Sequence, residues 1–163
     1  MEMKVQRIDA DKKRFLPLLL LADEQESMID RYLDRGELFA LHDDGVAAIC
    51  VVTQEGERVY EIKNMAVEPA RQRKGYGKKL IGFVRAHYAD VCDTLLVGTG
   101  DSPLTLSFYK ACGFVPSHRV KNFFVDNYDH AIVEDGVLLV DMVYLKMDLR
   151  CANAGEDAEG GKS

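Results

Sequence analysis

The stretch AVEPARQRKGYGKKL, residues 66–80, joins the end of an apolar segment to a basic segment that contains two glycines, Gly75 and Gly77. Pro69 predicts that a strand ends at Val67, because proline cannot donate a hydrogen bond to a strand ladder. A helix is predicted to begin near Gly77. The first amides of a helix have no partners within it and lie at the positive end of its dipole. The stretch is therefore a candidate anion site between a strand and a helix.

Glycines and positive charges together favour a diphosphate as the anion. Gly75 and Gly77 have no Cβ, which allows phosphate oxygens to approach the backbone. Arg73, Lys74 and Lys78 add positive charge. A flexible turn followed by a basic, solvated helix is an equally good interpretation of this stretch alone. The spacing fits neither G-x-x-x-x-G-K-[ST] nor G-x-G-x-x-G, which disfavours a P-loop or Rossmann nucleotide site.

Composition limits the classes of protein to which the chain can belong. It has 163 residues, of which 47% are apolar, enough for a single domain with a buried core. Its net charge of −6 disfavours a general binder of nucleic acids or membrane surfaces. The longest apolar run is too short to span a bilayer, and no signal-peptide core is seen. The cysteines form no C-x-x-C pair. We expect reduced thiols, no metal site and a cytoplasmic location.

Apolar patterns in the first half of the chain predict a strand, two helices and an antiparallel meander. The strand is expected at 5–8, one helix at 15–21, and a second helix after Ser27 that ends near Gly36. The Asp-Gly and Glu-Gly pairs that follow are typical of hairpins between apolar runs. The meander strands are expected at 37–42, 46–53 and 58–67.

The second half of the chain predicts a βαβ unit, a helix and two late strands. The short apolar segment 94–100 is expected to lie parallel to 60–67, joined to it by the helix after Gly77. A helix capped at Asp101 or Ser102 is expected to end at Gly113, and strands are expected at 120–125 (VKNFFV) and within 136–149.

These elements predict one α/β domain over residues 1–149, followed by a disordered tail at 150–163. Its sheet is expected to be mixed and mostly antiparallel, with helices on both faces. A ligand is expected to enter where the two parallel strands part.

Three motifs in this order resemble the GCN5-related N-acetyltransferase (GNAT) superfamily. Residues 72–77 (QRKGYG) fit its Q/R-x-x-G-x-G/A motif, residues 64–69 (NMAVEP) resemble its strand end before a proline, and residues 107–116 (SFYKACGFVP) resemble the end of its next helix. Three motifs at suitable spacing are far more specific than one. The segments 98–102 and 122–149 further resemble a bacterial subgroup of small uncharacterised acetyltransferases. The resemblance extends over residues 3–149 and implies the GNAT fold.

The resemblance implies acetyl-CoA as co-substrate and no metal. The backbone of Met65, Ala66 and Val67 would pair with the pantetheine arm, and the Val67 amide would donate to the thioester oxygen. The diphosphate would be held by Arg73, Lys74, Gly75, Tyr76, Gly77 and Lys78. Ser102 occupies a position where many relatives have an asparagine that contacts pantetheine. Its alternative role is to cap the following helix.

Two residues are candidates for acid and base catalysis by resemblance. Tyr109 would be the general acid that protonates the departing thiolate; the alternative is a core tyrosine bonded to a backbone carbonyl. Glu61 would be the general base, acting through water; the alternative is an exposed glutamate paired with Lys63 or Arg58. Strand alternation predicts that Glu61 lies on the same face as Lys63 and Met65.

The predicted activity is transfer of an acetyl group from acetyl-CoA to a primary amine of a small molecule or peptide, by direct attack in a ternary complex. The alternative is a non-catalytic acyl-CoA-binding or sensor module with the same fold. The resemblance implies an acceptor groove formed by the first two helices and the late strands, which here means the segments 22–37 and 126–136. It also allows a homodimer, since dimers are common among relatives. Both segments are acidic here, which favours a cationic amine, although ordinary surface charge explains them as well. The acidic residues are Asp23, Glu24, Glu26, Asp30, Asp126, Asp129, Glu134 and Asp135.

Overall fold

The computed structural model describes residues 3–150, which form one large sheet with helices on both of its faces. The predicted tail therefore lies, beyond Arg150, outside the described residues. The strands are β1 (Lys4–Ile8), β2 (Glu37–His42), β3 (Val46–Gly56), β4 (Val59–Val67), β5 (Thr94–Gly100), β6 (Val115–Val120), β7 (Val133–Glu134), β8 (Val137–Leu138) and β9 (Met142–Asp148). The α-helices are α1 (Leu16–Ala22), α2 (Glu26–Ile29), α3 (Tyr76–Tyr88), α4 (Pro103–Ala111) and α5 (Phe123–Asn127). Two 3₁₀ turns cover Lys12–Phe15 and Pro69–Arg71.

The large sheet has the strand order β1-β2-β3-β4-β5-β9-β6, and β7 and β8 form a separate hairpin. Every neighbouring pair in the large sheet is antiparallel except β4 and β5, which are parallel. The prediction of a mixed, mostly antiparallel sheet with one parallel pair is confirmed. The meander and the βαβ unit lie where the hairpin signals and the apolar segments indicate.

Alternate residues of the central strands face two separate cores. One core places Phe39 and Cys50 of the sheet against Leu80 and Val84 of α3. The other is formed on the opposite face, where Leu19 of α1 packs with residues of β2 and β3. Burying one apolar face of each helix against the sheet stabilises both layers. The prediction of helices on both faces is therefore confirmed.

The second predicted helix is only one turn long. After Ile29 the chain continues in turns, although Tyr32 and Leu33 are as buried as the apolar stripe predicts. The backbone hydrogen bonds change spacing here, because the amides of Arg31 and Tyr32 donate to the carbonyls three residues back, at Met28 and Ile29, both at 3.1 Å. The ammonium group of Lys12 then holds the end of this segment, donating to the carbonyl oxygens of Leu33 and Gly36 at 3.0 and 2.6 Å.

The predicted strand VKNFFV is wrong. The strand in this region is β6, which ends at Val120, and the two phenylalanines belong to α5. Asn122 takes a left-handed conformation with φ 57°, which turns the chain out of the sheet, and its amide donates to the Asp141 carboxylate at 3.0 Å. Phe124 is then buried beside Ile132 and Leu139. The late segment 136–149 is likewise divided, into β8 and β9.

A bulge in β4 reverses the predicted alternation of its side chains. Val52 of β3 lies opposite Ile62 and Val51 lies opposite Asn64, so Lys63 is an extra residue without a partner position. Glu61 therefore shares its face with Asn64, and Met65 packs on the opposite face with Ile62. The prediction that Glu61 and Met65 share a face is wrong.

Candidate active site

The parallel strands β4 and β5 separate halfway along their length. Pairing extends from Val59 and Thr94 to Ile62 and Val97 and then stops, at the bulged Lys63. The two strand ends diverge and leave a cleft of about 1040 Å³ between them. The cleft extends from the start of α3 to the end of α1, with α4, α5 and the β7–β8 hairpin along its other side.

The edge of β4 that faces this cleft has free backbone groups. The Glu68 amide donates to the Ala47 carbonyl on β3 at 2.8 Å. Because successive amides of a strand point to opposite edges, the Ala66 amide also faces β3, and the amides of Met65 and Val67 face the cleft. Of the three residues predicted to bind pantetheine, Met65 and Val67 therefore present the hydrogen-bonding groups.

The beginning of α3 fits an anionic ligand. Gly75 precedes the helix in a left-handed conformation with φ 85°, and a Cβ at this position would meet no atom within 4 Å. The first helical hydrogen bond runs from the Lys79 amide to the Gly75 carbonyl at 3.1 Å. The three preceding amides, 76–78, therefore have no acceptor within the helix and point toward the positive end of its dipole.

Gly77 has a packing role that the sequence does not reveal. A Cβ here would lie 3.0 Å from the Phe108 ring and 3.5 Å from the Val67 side chain. The missing side chain therefore allows the first turn of α3 to approach α4 and the end of β4. Gly75 leaves the backbone before α3 open to a ligand, and Gly77 allows the first turn of α3 to pack closely against α4 and the end of β4.

The loop between β4 and α3 is held to the β2–β3 turn. The guanidinium group of Arg71 donates to the carbonyl of Asp43 and, at 2.6 Å, to that of Asp44. The Tyr76 hydroxyl donates to the Asp43 carboxylate at 2.5 Å. These contacts fix the position of the α3 N-terminus relative to the sheet, so Arg71 acts on the loop rather than within the cleft.

Nine of the twelve predicted site residues line the cleft. They are Met65, Ala66, Val67, Arg73, Gly75, Tyr76, Gly77, Lys78 and Tyr109. The other three, Lys74, Glu61 and Ser102, do not. The sequence motifs thus converge on one site, and the exceptions lie immediately beside it.

Tyr109 lies on the wall of the cleft with its ring fixed and its hydroxyl unpartnered. The ring packs edge-on against Phe108 and Phe114, with centroids 5.1 and 5.7 Å apart, and the residue is 7% exposed. Within residues 3–150 no hydrogen bond joins the hydroxyl to another group. Burial raises the pKa of Tyr109, which keeps the phenol protonated. The group can therefore donate a proton or hydrogen bond to a ligand in the cleft.

Glu61 is buried and paired. Its carboxylate lies 3.1 Å from the Lys63 ammonium group and accepts a hydrogen bond from the Tyr144 hydroxyl at 3.3 Å. The residue is only 6% exposed, so it is not the exposed glutamate of the alternative interpretation, although the pairing with Lys63 is present. Burial raises the pKa of Glu61 despite the neighbouring lysine. Lys63 lines the cleft, whereas Glu61 does not.

Ser102 connects α4 to the β7–β8 hairpin. It occupies the N-cap position of α4, but its side chain forms no capping hydrogen bond. The hydroxyl instead donates to Asp135 at 3.2 Å, and Thr105 one turn later donates to Glu134 at 3.2 Å. The interpretation of Ser102 as a side-chain cap is wrong, because the hairpin carboxylate is its partner.

A second polar group in the cleft surrounds Asp23, which the sequence marks only as one of many acidic residues. Its carboxylate accepts hydrogen bonds from Tyr32 at 2.9 Å and from Tyr128 at 2.7 Å. Asn64 donates to the Tyr32 hydroxyl at 3.1 Å and to the Leu19 carbonyl at 3.0 Å. Tyr32 belongs to an apolar stripe and Asn64 to an apolar strand, so periodicity assigns both to the core. A polar residue within an apolar stripe or strand is the one sequence feature that could have indicated their place in the site.

A mixed sheet whose parallel strands separate beside a glycine-containing helix N-terminus is the architecture of a GNAT-type acetyltransferase. The acetyltransferase (GNAT) domain family matches residues 34–116 of the chain. The chain is also 38% identical to the uncharacterized N-acetyltransferase YvbK of Bacillus subtilis strain 168, over 81% of this chain and 87% of that protein. The chain therefore belongs to the GNAT family of acetyltransferases, and the resemblance drawn from its motifs is confirmed.

Solved structures agree with this assignment. A GNAT family acetyltransferase from Elizabethkingia anophelis with acetyl-CoA bound superposes with a TM-score of 0.85 at 33% identity, covering 90% of this chain and 97% of that one. A Bacillus subtilis acetyltransferase in complex with CoA gives a TM-score of 0.82 at 33% identity, covering 90% and 99%. Within residues 3–150, no helix is long and apolar enough to cross a membrane.

Proposed function

We propose that this protein transfers the acetyl group of acetyl-CoA to a primary amine of a small molecule or peptide, by direct attack in a ternary complex. The observation that carries the proposal is the continuous polar path along the cleft. It begins at the unpaired amides of α3, follows the open edge of β4 at Met65 and Val67, and ends beside the Tyr109 hydroxyl. The acetyl-CoA and CoA held by the two similar structures support the choice of co-substrate.

The anionic part of the co-substrate would lie at the helix end of the cleft. Amides 76–78 would donate to its diphosphate, and the side chains of Arg73 and Lys78 would add positive charge. Lys74 is a candidate for the same role from outside the cleft wall. The pantetheine arm would then extend along the free edge of β4 as an added strand.

The reacting carbonyl would lie at the end of that edge. The amide of Met65 would donate to the thioester oxygen and stabilise the negative charge that develops when nitrogen attacks. Val67 lies beside Gly77 at the α3 end of the edge, so its amide would bind the pantetheine arm rather than take the oxyanion role that the motif implies. As the carbon–sulfur bond breaks, the Tyr109 hydroxyl would give its proton to the sulfur, and the new amide would leave with CoA. Burial raises the pKa of Tyr109, so the phenol is protonated across the neutral range, although the same shift makes it a weaker acid than an exposed tyrosine.

Glu61 would receive the proton that the amine loses. Its raised pKa brings the carboxylate closer to the neutral range, where a general base is most effective. Because Glu61 does not line the cleft, transfer would proceed through a water molecule rather than by direct contact with the amine. Ser102 would not contact the co-substrate; its hydrogen bond to Asp135 would hold the β7–β8 hairpin against the start of α4, beside the cleft.

The proposal is tested by measuring free CoA released from acetyl-CoA in the presence of a broad panel of primary amines. Release that depends on the amine, with an acetylated product identified by mass spectrometry, would support it. Acetyl-CoA binding by calorimetry with no turnover across the panel would refute the enzymatic proposal and favour the acyl-CoA sensor. Stabilisation by ATP or NAD but not by CoA would refute both.

A further inference from the structure

The end of the cleft opposite the α3 loop is formed around one oriented carboxylate. Asp23 follows α1, and each of its two oxygens accepts a hydrogen bond from a tyrosine, Tyr32 on one side and Tyr128 on the other. Tyr128 lies 105 residues away in the sequence, just after α5. Asp23 is half-buried, lines the cleft, and has no Lys, Arg or His within ion-pair distance in residues 3–150.

The nearest cation to Asp23 is directed elsewhere. Arg31 influences the charge of Asp23 from a distance, but its guanidinium group donates to the Asn127 side chain at 3.1 Å. A carboxylate has about four lone-pair positions; on Asp23 the two tyrosines occupy two of them and a backbone hydrogen bond from Gln25 occupies a third. Asp23 lines a cleft in which no described Lys, Arg or His forms an ion pair with it.

Asn64 provides an independent indication that a ligand donates hydrogen bonds here. Its amide nitrogen donates to Leu19 and Tyr32, which fixes the orientation of the amide group. Its oxygen is buried and accepts no hydrogen bond within residues 3–150, although the residue lines the cleft and is only 3% exposed. Leaving a buried acceptor unpaired is costly, so an N–H group of a bound ligand would remove that cost.

Aromatic rings and further negative charge surround Asp23. Tyr128 stacks on Phe124 with centroids 5.5 Å apart, and both line the cleft. Ring faces of this kind attract cations. Glu24 and the hairpin residues Glu134 and Asp135 line the same end. By contrast, Arg73 and Lys78 line the α3 end, so the cleft has opposite charge at its two ends.

We propose that Asp23, held by Tyr32 and Tyr128, binds a second positive charge on the acceptor, so that the preferred substrates are diamines and related amines with an additional cationic group. The inference rests on the proposed function. The nitrogen that attacks the thioester must be uncharged, and a carboxylate beside it would hold it as an ammonium ion. Asp23 therefore suits a group that stays charged, whereas the neutral Asn64 oxygen can accept an N–H from an uncharged nitrogen.

Three six-carbon amines that differ only in their remote group test the proposal: hexamethylenediamine, aminohexanol and aminohexanoate. With the wild-type protein, kcat/KM should be highest for the diamine, about tenfold lower for the alcohol, and lowest for the acid. These differences should arise from KM rather than from kcat. In Asp23→Asn the diamine should lose about tenfold in kcat/KM and become equal to the alcohol, whose own value changes less than about threefold.

The matched control is Asp129→Asn, which removes a carboxylate that is exposed and does not line the cleft. It should leave the order of the three amines unchanged. Acetyl-CoA binding by calorimetry reports whether Asp23→Asn is folded. If it is not, Tyr128→Phe keeps the ring and frees one Asp23 oxygen, and it should raise KM for the diamine alone, by about threefold.

The possible failures are distinguishable. No turnover of any amine by the wild-type protein would overturn the proposed function. Turnover without preference for the diamine would overturn only the role of Asp23. The role of Asp23 would also be overturned if a folded Asp23→Asn variant still preferred the diamine. If that variant does not fold, an unchanged preference in Tyr128→Phe would have the same meaning.

Discussion

Replacing Tyr109 with phenylalanine removes one hydroxyl from the wall of the cleft and leaves the aromatic ring in place. The ring contacts with Phe108 and Phe114 remain, and the hydroxyl has no protein hydrogen bond to lose within residues 3–150. The free energy of unfolding should therefore change by less than about 1 kcal/mol. The melting temperature and the Kd for acetyl-CoA should both stay close to the wild-type values.

Turnover should respond very differently. A positioned general acid contributes about 10²–10⁴-fold to a rate, so kcat of Tyr109→Phe should fall by that factor, or about 3–5 kcal/mol in the activation barrier. Water would then be the remaining proton source for the departing thiolate. The measurement is kcat from free-thiol release at saturating acetyl-CoA and amine. The matched control is Tyr60→Phe, at a tyrosine that packs on Tyr88 and does not line the cleft.

The pH dependence gives a second test of Tyr109. A general acid is lost as the pH rises through its pKa, and burial raises the pKa of Tyr109 above the ordinary tyrosine value of about 10. The wild-type kcat should therefore show no alkaline decline due to this residue below about pH 10. Turnover of Tyr109→Phe within about threefold of wild type would refute the assignment.

Variants of the buried glutamate and of the loop before α3 test the rest of the site. A general base is lost as the pH falls through its pKa, and burial raises the pKa of Glu61. The decline of kcat on the acidic side should therefore lie above about pH 4.3, the ordinary glutamate value, and should disappear in Glu61→Gln. An unchanged decline in that variant would exclude Glu61 as the base. Arg71→Ala should raise the Kd for acetyl-CoA about 3–10-fold by calorimetry without changing kcat at saturation, whereas the exposed Lys79→Ala should not; equal affinities would show that the loop needs no anchor. Gly75→Ala should lower the melting temperature by about 2–4 °C, because a left-handed alanine costs about 1 kcal/mol, and Gly75→Asn should lower it less; identical melting curves would contradict the backbone argument.

Elements whose signals are local could be predicted well. The strand at 94–100 has the predicted bounds, and the helix predicted to begin near Gly77 begins at Tyr76. Both depend on apolar periodicity and on glycine and proline positions, which act over a few residues. The segment 120–127 could not be predicted in this way, because its β-branched and aromatic residues suit a strand. The turn at Asn122 and the burial of Phe124 decided its structure instead.

The fold class and the part of the site proposed to bind the co-substrate could be predicted from the sequence, since the loop at 71–80 and the motifs around it are contiguous in the chain. The side chains proposed to face the acceptor could be identified from the tertiary structure alone. One bulge at Lys63 moved Glu61 to the face of Asn64, and Tyr128 came to bind Asp23 across 105 residues of sequence. The physical reason is that strand register and long-range contacts depend on the packing of the whole sheet, whereas helix starts, turns and glycine conformations depend on neighbours a few residues away.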